Sequence, residues 1–84
     1  MNKVLVKYRG HLAALTGITE EFMEAVDVEG ILRLVRERRG REAEKTARTM
    51  LIAVNDESIL LLKRFKTVLK EGDTLSFFPI CAGG

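Results

Sequence analysis

Hydrophobic and polar positions alternate from Lys3 to Arg9, with Val4, Val6 and Tyr8 on one side and Lys3, Leu5, Lys7 and Arg9 on the other. A period of two predicts a β-strand with one buried face. GHLAALTG, residues 10–17, is bounded by glycines and reads as a loop or a single turn leading to a second strand near Ile18 to Ala25. Glu20, Glu21 and Glu24 break the apolar pattern there, and charges of this kind blunt an exposed sheet edge, so the second strand belongs at one. After Asp27 the period changes. Val28, Ile31, Leu32 and Val35 recur at i, i+3, i+4 and i+7, which predicts a helix over 28–39 with one apolar face. Asp27 is suited to its N-cap and Gly40 to the left-handed position beyond its C-terminus. REAEKTART, residues 41–49, has no apolar periodicity and reads as a solvated loop or a helical extension.

Met50 to Val54 is apolar throughout, Asn55-Asp56-Glu57-Ser58 is a polar turn, and Ile59 to Lys63 returns as the second strand of a hairpin. Glu71-Gly72-Asp73 makes another turn, after which Leu75 and Phe77 alternate with Ser76 and Phe78 until Pro79 ends the ladder. The order is strand, strand, helix, then three strands. One helix covers one face of such a sheet, so the expected fold is a two-layer α+β domain with the other face open.

The open face has contents of its own. If Val4, Val6, Ile52, Val54, Leu75 and Phe77 point at the helix, then Leu5, Leu51, Ala53 and Phe78 point away from it. Apolar side chains gathered on an uncovered sheet mark a protein interface, and these four are the expected partner-binding residues. The alternative is that residues 41–49 fold over this face and make it ordinary core.

Composition narrows the functional classes. A chain of 84 residues is one domain, 1–84, and its 46% hydrophobic and 31% charged shares are those of a folded protein. So small an interior leaves little room for a deep pocket, which moves function to the surface or to an end. The apolar runs Met50–Val54 and Ile59–Leu62 fall far short of the roughly 18–20 residues that span a bilayer. The N-terminal apolar stretch is also too short for a signal peptide, so the expectation is a soluble, cytoplasmic protein with no membrane partner. One histidine and one cysteine cannot close a structural zinc site, and a net charge of +2 is too small to imply nucleic acid by itself.

The candidate chemistry lies at the C-terminus. The sequence stops at Ala82-Gly83-Gly84, a thin extended end able to pass down a channel where side chains would clash, with a carboxylate at its tip. A partner enzyme using ATP can turn such a carboxylate into an acyl adenylate open to a sulfur or nitrogen nucleophile. The bland alternative is a frayed terminus with no role.

The run Leu69-Lys70-Glu71-Gly72-Asp73-Thr74-Leu75-Ser76-Phe77-Phe78-Pro79, followed by Ile80-Cys81-Ala82-Gly83-Gly84, resembles the end of the ubiquitin-like sulfur-carrier family, most of all the molybdopterin synthase small subunit. Met50 to Asn55 is similar to that family's central strand and turn, and Lys3 to Tyr8 to its first strand. The resemblance implies a β-grasp fold, with a mixed sheet of four to five strands and one main helix on one face. It further implies that residues 79–84 form a flexible tail, Pro79, Ile80, Cys81, Ala82, Gly83 and Gly84. The Gly84 carboxylate would be adenylated by an ATP-dependent activating enzyme and converted to a thiocarboxylate with sulfur from a donor system. In the molybdenum-cofactor pathway the tail would then enter the synthase large subunit, which takes the sulfur to form the dithiolene from precursor Z. The carrier would supply no catalytic base and bind no cofactor, the ATP being used by the activating enzyme. Related carriers serve thiazole formation, cysteine synthesis and transfer-RNA thiolation, and some relatives become attached to protein lysines.

Three features offer other readings. Cys81 has no neighbouring cation or helix N-terminus in FFPICAGG to activate it, so it reads as a small apolar residue. His11 has no Ser, Cys or Asp nearby in sequence. Arg33 to Arg41 holds five arginines and is the best argument for a small nucleic-acid-binding module, although no aromatic residues are interleaved for base stacking and a solvated helix face explains it equally well.

Overall fold

Val4, Val6, Tyr8, Ile52, Val54, Leu75 and Phe77 from the strands and Val28, Ile31, Leu32 and Val35 from the helix are buried in one cluster, the side chains that the two periodicities assign to the interior. The computed structural model describes residues 2–80. In it β1 (Asn2–Lys7) is followed by α1 (His11–Thr16), β2 (Glu20–Ala25), α2 (Val28–Arg39) and α3 (Arg41–Arg48). Next come β3 (Leu51–Val54), the short β4 (Glu57–Ser58), two single 3₁₀ turns (Ile59–Leu61 and Arg64–Lys66) and β5 (Thr74–Phe78). The five strands lie in the order β2-β1-β5-β3-β4, with β1 and β5 parallel and every other pair antiparallel. This is the mixed sheet with helices on one face that a β-grasp fold requires.

α2 begins and ends where its sequence says. The Asp27 carboxylate accepts the Gly30 N–H at 2.8 Å, and Gly40, at φ 101° and ψ 168°, takes the chain out of the helix through a conformation that disfavours any side chain. β2 lies at an edge, as its glutamates require.

Four expectations are corrected. Residues 10–17 are not a loop or a single turn but the six-residue helix α1, held in the core by Leu12. Residues 41–49 form a helix of their own, α3, whose Ala43 and Ala47 are buried one turn apart. Two alanine methyls are too weak an apolar signal to show as a stripe. Both alanines belong to the main core, and α3 packs on α2 and α1, so it lies on the helical side and leaves the other sheet face uncovered. The alternative that residues 41–49 cover the open face is thereby overturned, while α2, at twelve residues, remains the main helix.

The fourth correction concerns the hairpin. Asn55 and Asp56 have φ of 51° and 69°, a two-residue turn whose left-handed backbone matches strand twist, and Glu57 already pairs with Val54. β4 therefore occupies Glu57–Ser58, ahead of the predicted strand at Ile59 to Lys63. Ser58 Oγ then accepts the Leu60 N–H at 3.2 Å and starts a 3₁₀ turn that drops Ile59 into the core. Arg48 ties this region together. Its guanidinium donates to both Glu29 oxygens at 3.0 and 2.7 Å and to Glu44 at 3.1 Å, and it lies 5.4 Å from the centre of the Phe65 ring.

Candidate functional site

Of the residues assigned to the tail, Pro79 and Ile80 are described and exposed, whereas Cys81, Ala82, Gly83 and Gly84 lie outside the described residues. Their point of departure is well defined. β5 is an inner strand, hydrogen-bonded to β1 on one side and β3 on the other, so the chain leaves the middle of the sheet and not its edge. Pro79 has no N–H to continue either ladder. Ile80, 60% exposed, then lies between two surface clefts. One, of about 230 Å³, includes Met50, Leu51, Leu60 and Phe65 in its lining, and the other, of about 440 Å³, is formed by His11, Thr46, Thr49, Met50, Pro79 and Ile80.

The uncovered sheet face reaches that exit at Phe78 and Leu51. Leu5 stands opposite Phe22, and Leu51 opposite Phe78, as cross-strand pairs on the side away from the helices. Leu51 is 38% exposed, while Leu5 and Phe78 are half-buried. Ala53 is on the expected face but closed to solvent, because a one-carbon side chain set between Ser58 and Ser76 sits below its neighbours. It cannot offer contact area. Cations border the apolar residues, Lys3 Nζ 4.7 Å from the centre of the Phe22 ring and the Arg9 guanidinium 5.3 Å from that of Phe78.

The sequence reading missed Phe22, Leu60 and Phe65. Phe22 was legible, since placing Met23 and Ala25 inward forces it outward, but the three glutamates obscured that phase. Leu60 and Phe65 depend on the 3₁₀ turns, which have no apolar period to detect.

Behind the tail exit lies an ionic cluster. Tyr8, stacked on Phe77 with ring centroids 6.0 Å apart, donates its hydroxyl hydrogen to Glu21 at 2.6 Å. Glu21 also accepts from Arg39 at 3.1 and 3.0 Å and from Arg38 at 3.1 Å. Burial pushes the Glu21 carboxyl up, but the hydrogen bonds from Arg39, Tyr8 and Arg38 outweigh it and hold the group below the usual carboxylate range. Burial, followed by the hydrogen bond to Glu21 and then its charge, drives the Tyr8 hydroxyl well above its ordinary value, so it remains a donor. Arg38 and Arg39 are thus engaged by Glu21, and Arg33 lies 3.8 Å from Glu29. His11 is the first residue of α1. Among the described residues no group of three or more His, Cys, Asp or Glu is placed to hold a metal ion, and no helix is long and apolar enough to cross a membrane.

A profile of the ThiS family matches residues 6–84. The chain belongs to that family. It is a ubiquitin-like sulfur carrier, and not itself a catalyst. No curated protein matches it in sequence. Among solved structures it is similar to the small archaeal modifier protein 1 of Methanosarcina acetivorans, with 22% identity over 100% of this chain and 98% of that one and a TM-score of 0.86, which confirms the β-grasp fold. It is also similar to a chain of the BexX/CysO complex of Amycolatopsis orientalis, at 25% identity, 96% and 99% coverage and a TM-score of 0.82. A third similar chain comes from the complex of subunits 1 and 2 of the molybdopterin-converting factor of Helicobacter pylori, at 26% identity, 98% and 99% coverage and a TM-score of 0.69.

Proposed function

We propose that this carrier works through the Gly84 carboxylate, as a cytoplasmic sulfur donor for dithiolene formation and the small subunit of a molybdopterin synthase. The carboxylate oxygen attacks the α-phosphorus of ATP in an activating enzyme, with pyrophosphate leaving. A sulfide-level sulfur from the donor system then attacks the acyl carbon, AMP leaves, and the thiocarboxylate carries the sulfur to the synthase large subunit. The observation that supports this most is the exit of the chain at Phe78-Pro79-Ile80 from an inner strand of the sheet, beside Leu51 on its uncovered face. A partner seated on that face would receive the tail directly.

Removal of Gly84, or addition of a C-terminal tag, abolishes sulfur transfer while circular dichroism and melting stay unchanged, because the last described strand ends at Phe78, six residues before Gly84. A chain ending at Ala82 that still delivered sulfur would overturn the proposal.

A second reading is a carrier for another thiolation pathway or a protein modifier, favoured by the likeness to the archaeal modifier over the full chain. Capture of a synthase large subunit supports the first reading, and isopeptide conjugates on lysines support the second. A nucleic-acid-binding role for Arg33 to Arg41 is weaker, since Arg33, Arg38 and Arg39 already face carboxylates.

A further inference from the structure

The parallel pair β1–β5 keeps one offset along its ladder, Leu5 opposite Thr74, Val6 opposite Leu75 and Lys7 opposite Ser76. That offset continues past the last ladder position for three residues. Tyr8 stacks on Phe77, the Arg9 guanidinium sits over the Phe78 ring, and Gly10 meets Pro79. Three successive residues leaving β1 therefore touch the three successive residues at the root of the tail, through side chains and van der Waals contact.

The last of these leaves little room for a side chain. A Cβ on Gly10 would lie 3.2 Å from Pro79 Cγ, close enough that the ring must give by a few tenths of an ångström, and in ordinary contact with Pro79 Cβ at 3.5 Å. Gly10 also has φ 59° and ψ −137°, a backbone conformation open almost only to glycine, and its carbonyl accepts the Ala13 N–H that starts α1. Two separate constraints thus meet at one residue. The first belongs to the local turn, and the second concerns the tail, because Pro79 has no N–H to donate to a ladder and its ring packs where a Cβ on Gly10 would stand.

We infer that Gly10, assisted by Arg9, is a positioning residue that sets the direction in which the C-terminal tail leaves the sheet. Its consequence for acyl transfer rests on the carrier reading above, whereas its effect on the course of Phe78 to Ile80 does not. Adenylation requires the terminal carboxylate to reach phosphorus in line, so the direction in which the chain leaves Pro79 bears on the reaction.

The test compares Gly10→Ala, Pro79→Ala, the double variant and Arg9→Gln. Residual dipolar couplings report the orientation of the Phe78 and Ile80 amides, thermal melting reports stability, and ATP–pyrophosphate exchange by the activating enzyme reports kcat and KM. In Gly10→Ala the Ile80 coupling changes while those of Val4 and Val6 in the same sheet do not. Its kcat falls about 10-fold or more, since misplacement on the order of 1 Å can cost about 100-fold. KM stays within about twofold, because the docking face is untouched. The double variant is no slower than the slower single variant, because the two changes act on one contact. Arg9→Gln leaves the backbone conformation free of strain, shifts the Phe78 coupling and lowers kcat about threefold, which keeps the inference testable if Gly10→Ala fails to fold. Wild-type couplings at Phe78 and Ile80 in the folded variants would overturn the inference, as would kcat losses that multiply in the double variant. Failure of the wild-type chain to support exchange would instead contradict the carrier reading, and the couplings alone would then decide the role of Gly10.

Discussion

At the scale of single residues, Glu21 makes the most consequential polar contacts, since one carboxylate joins β2 to the end of α2 and to the ring beneath the tail. Its folded pKa lies below the ordinary value of 4.5. The stability it confers is therefore complete above about pH 4.5 and is lost as pH falls through the depressed folded value. Glu29, lowered by its hydrogen bonds from Arg48, adds to the same acid-side loss. Glu21→Gln should destabilise by about 2 kcal/mol at pH 7, the range for a hydrogen bond to a charged group. Urea titrations at pH 7 and pH 3 check this, and the difference from wild type should shrink at the lower pH. No motif in the sequence announces the cluster, because Tyr8, Glu21 and Arg38-Arg39 come from three separate elements. The glutamates of β2 were legible only as edge charges, although the alternation that turns Met23 and Ala25 inward puts Glu21 on the same side.

At the scale of elements, α2 shows why some of the fold can be read directly from the chain. Its apolar stripe, its Asp27 cap and the glycine after it agree with one another, so its limits at Val28 and Arg39 follow from local chemistry alone. Val35→Asp places an unpartnered charge at a fully buried position and should cost roughly 3–5 kcal/mol. Arg36→Gln, one residue along on the exposed side, should change stability by less than about 0.5 kcal/mol. The chevron midpoint in urea measures both. α3 illustrates the opposite case, since Ala43 and Ala47 bury little area and become interior only because α1 and α2 leave a shallow seat for them. Ala47→Asp should therefore be as damaging as a substitution in a conspicuous apolar stripe, by about 3 kcal/mol, and circular dichroism during denaturation checks it. The strand wrongly placed at Ile59 to Lys63 has a related origin. Four apolar residues in a row suit a buried strand, but the Ser58 cap turns them into a 3₁₀ turn that leaves Leu60 and Leu61 outside.

At the scale of the whole molecule, the helices lie on one side of the sheet, the described residues leave the other side uncovered, and the chain departs from an inner strand between them. Leu5, Leu51 and Phe78 on that surface were legible because strand alternation fixes faces in pairs. The closure of Ala53 was not legible, because it depends on its lateral neighbours Ser58 and Ser76. Phe78→Ala should weaken binding to the partner enzymes by roughly 30-fold, the effect of losing about 2 kcal/mol from a central aromatic contact, and Leu51→Lys should weaken it as well. Calorimetric titration measures the loss, with circular dichroism as the control for folding. The central claim is chemical and concerns the terminal atom. Intact-protein mass spectrometry of the chain incubated with its activating enzyme, ATP and a sulfur donor, followed by fragmentation of the C-terminal peptide, reads it directly. The account predicts a gain of about 16 Da confined to Gly84, one oxygen replaced by sulfur, that disappears when ATP is withheld. A mass that stays unchanged with enzyme, ATP and donor all present, or a gain of sulfur located at Cys81, would contradict it.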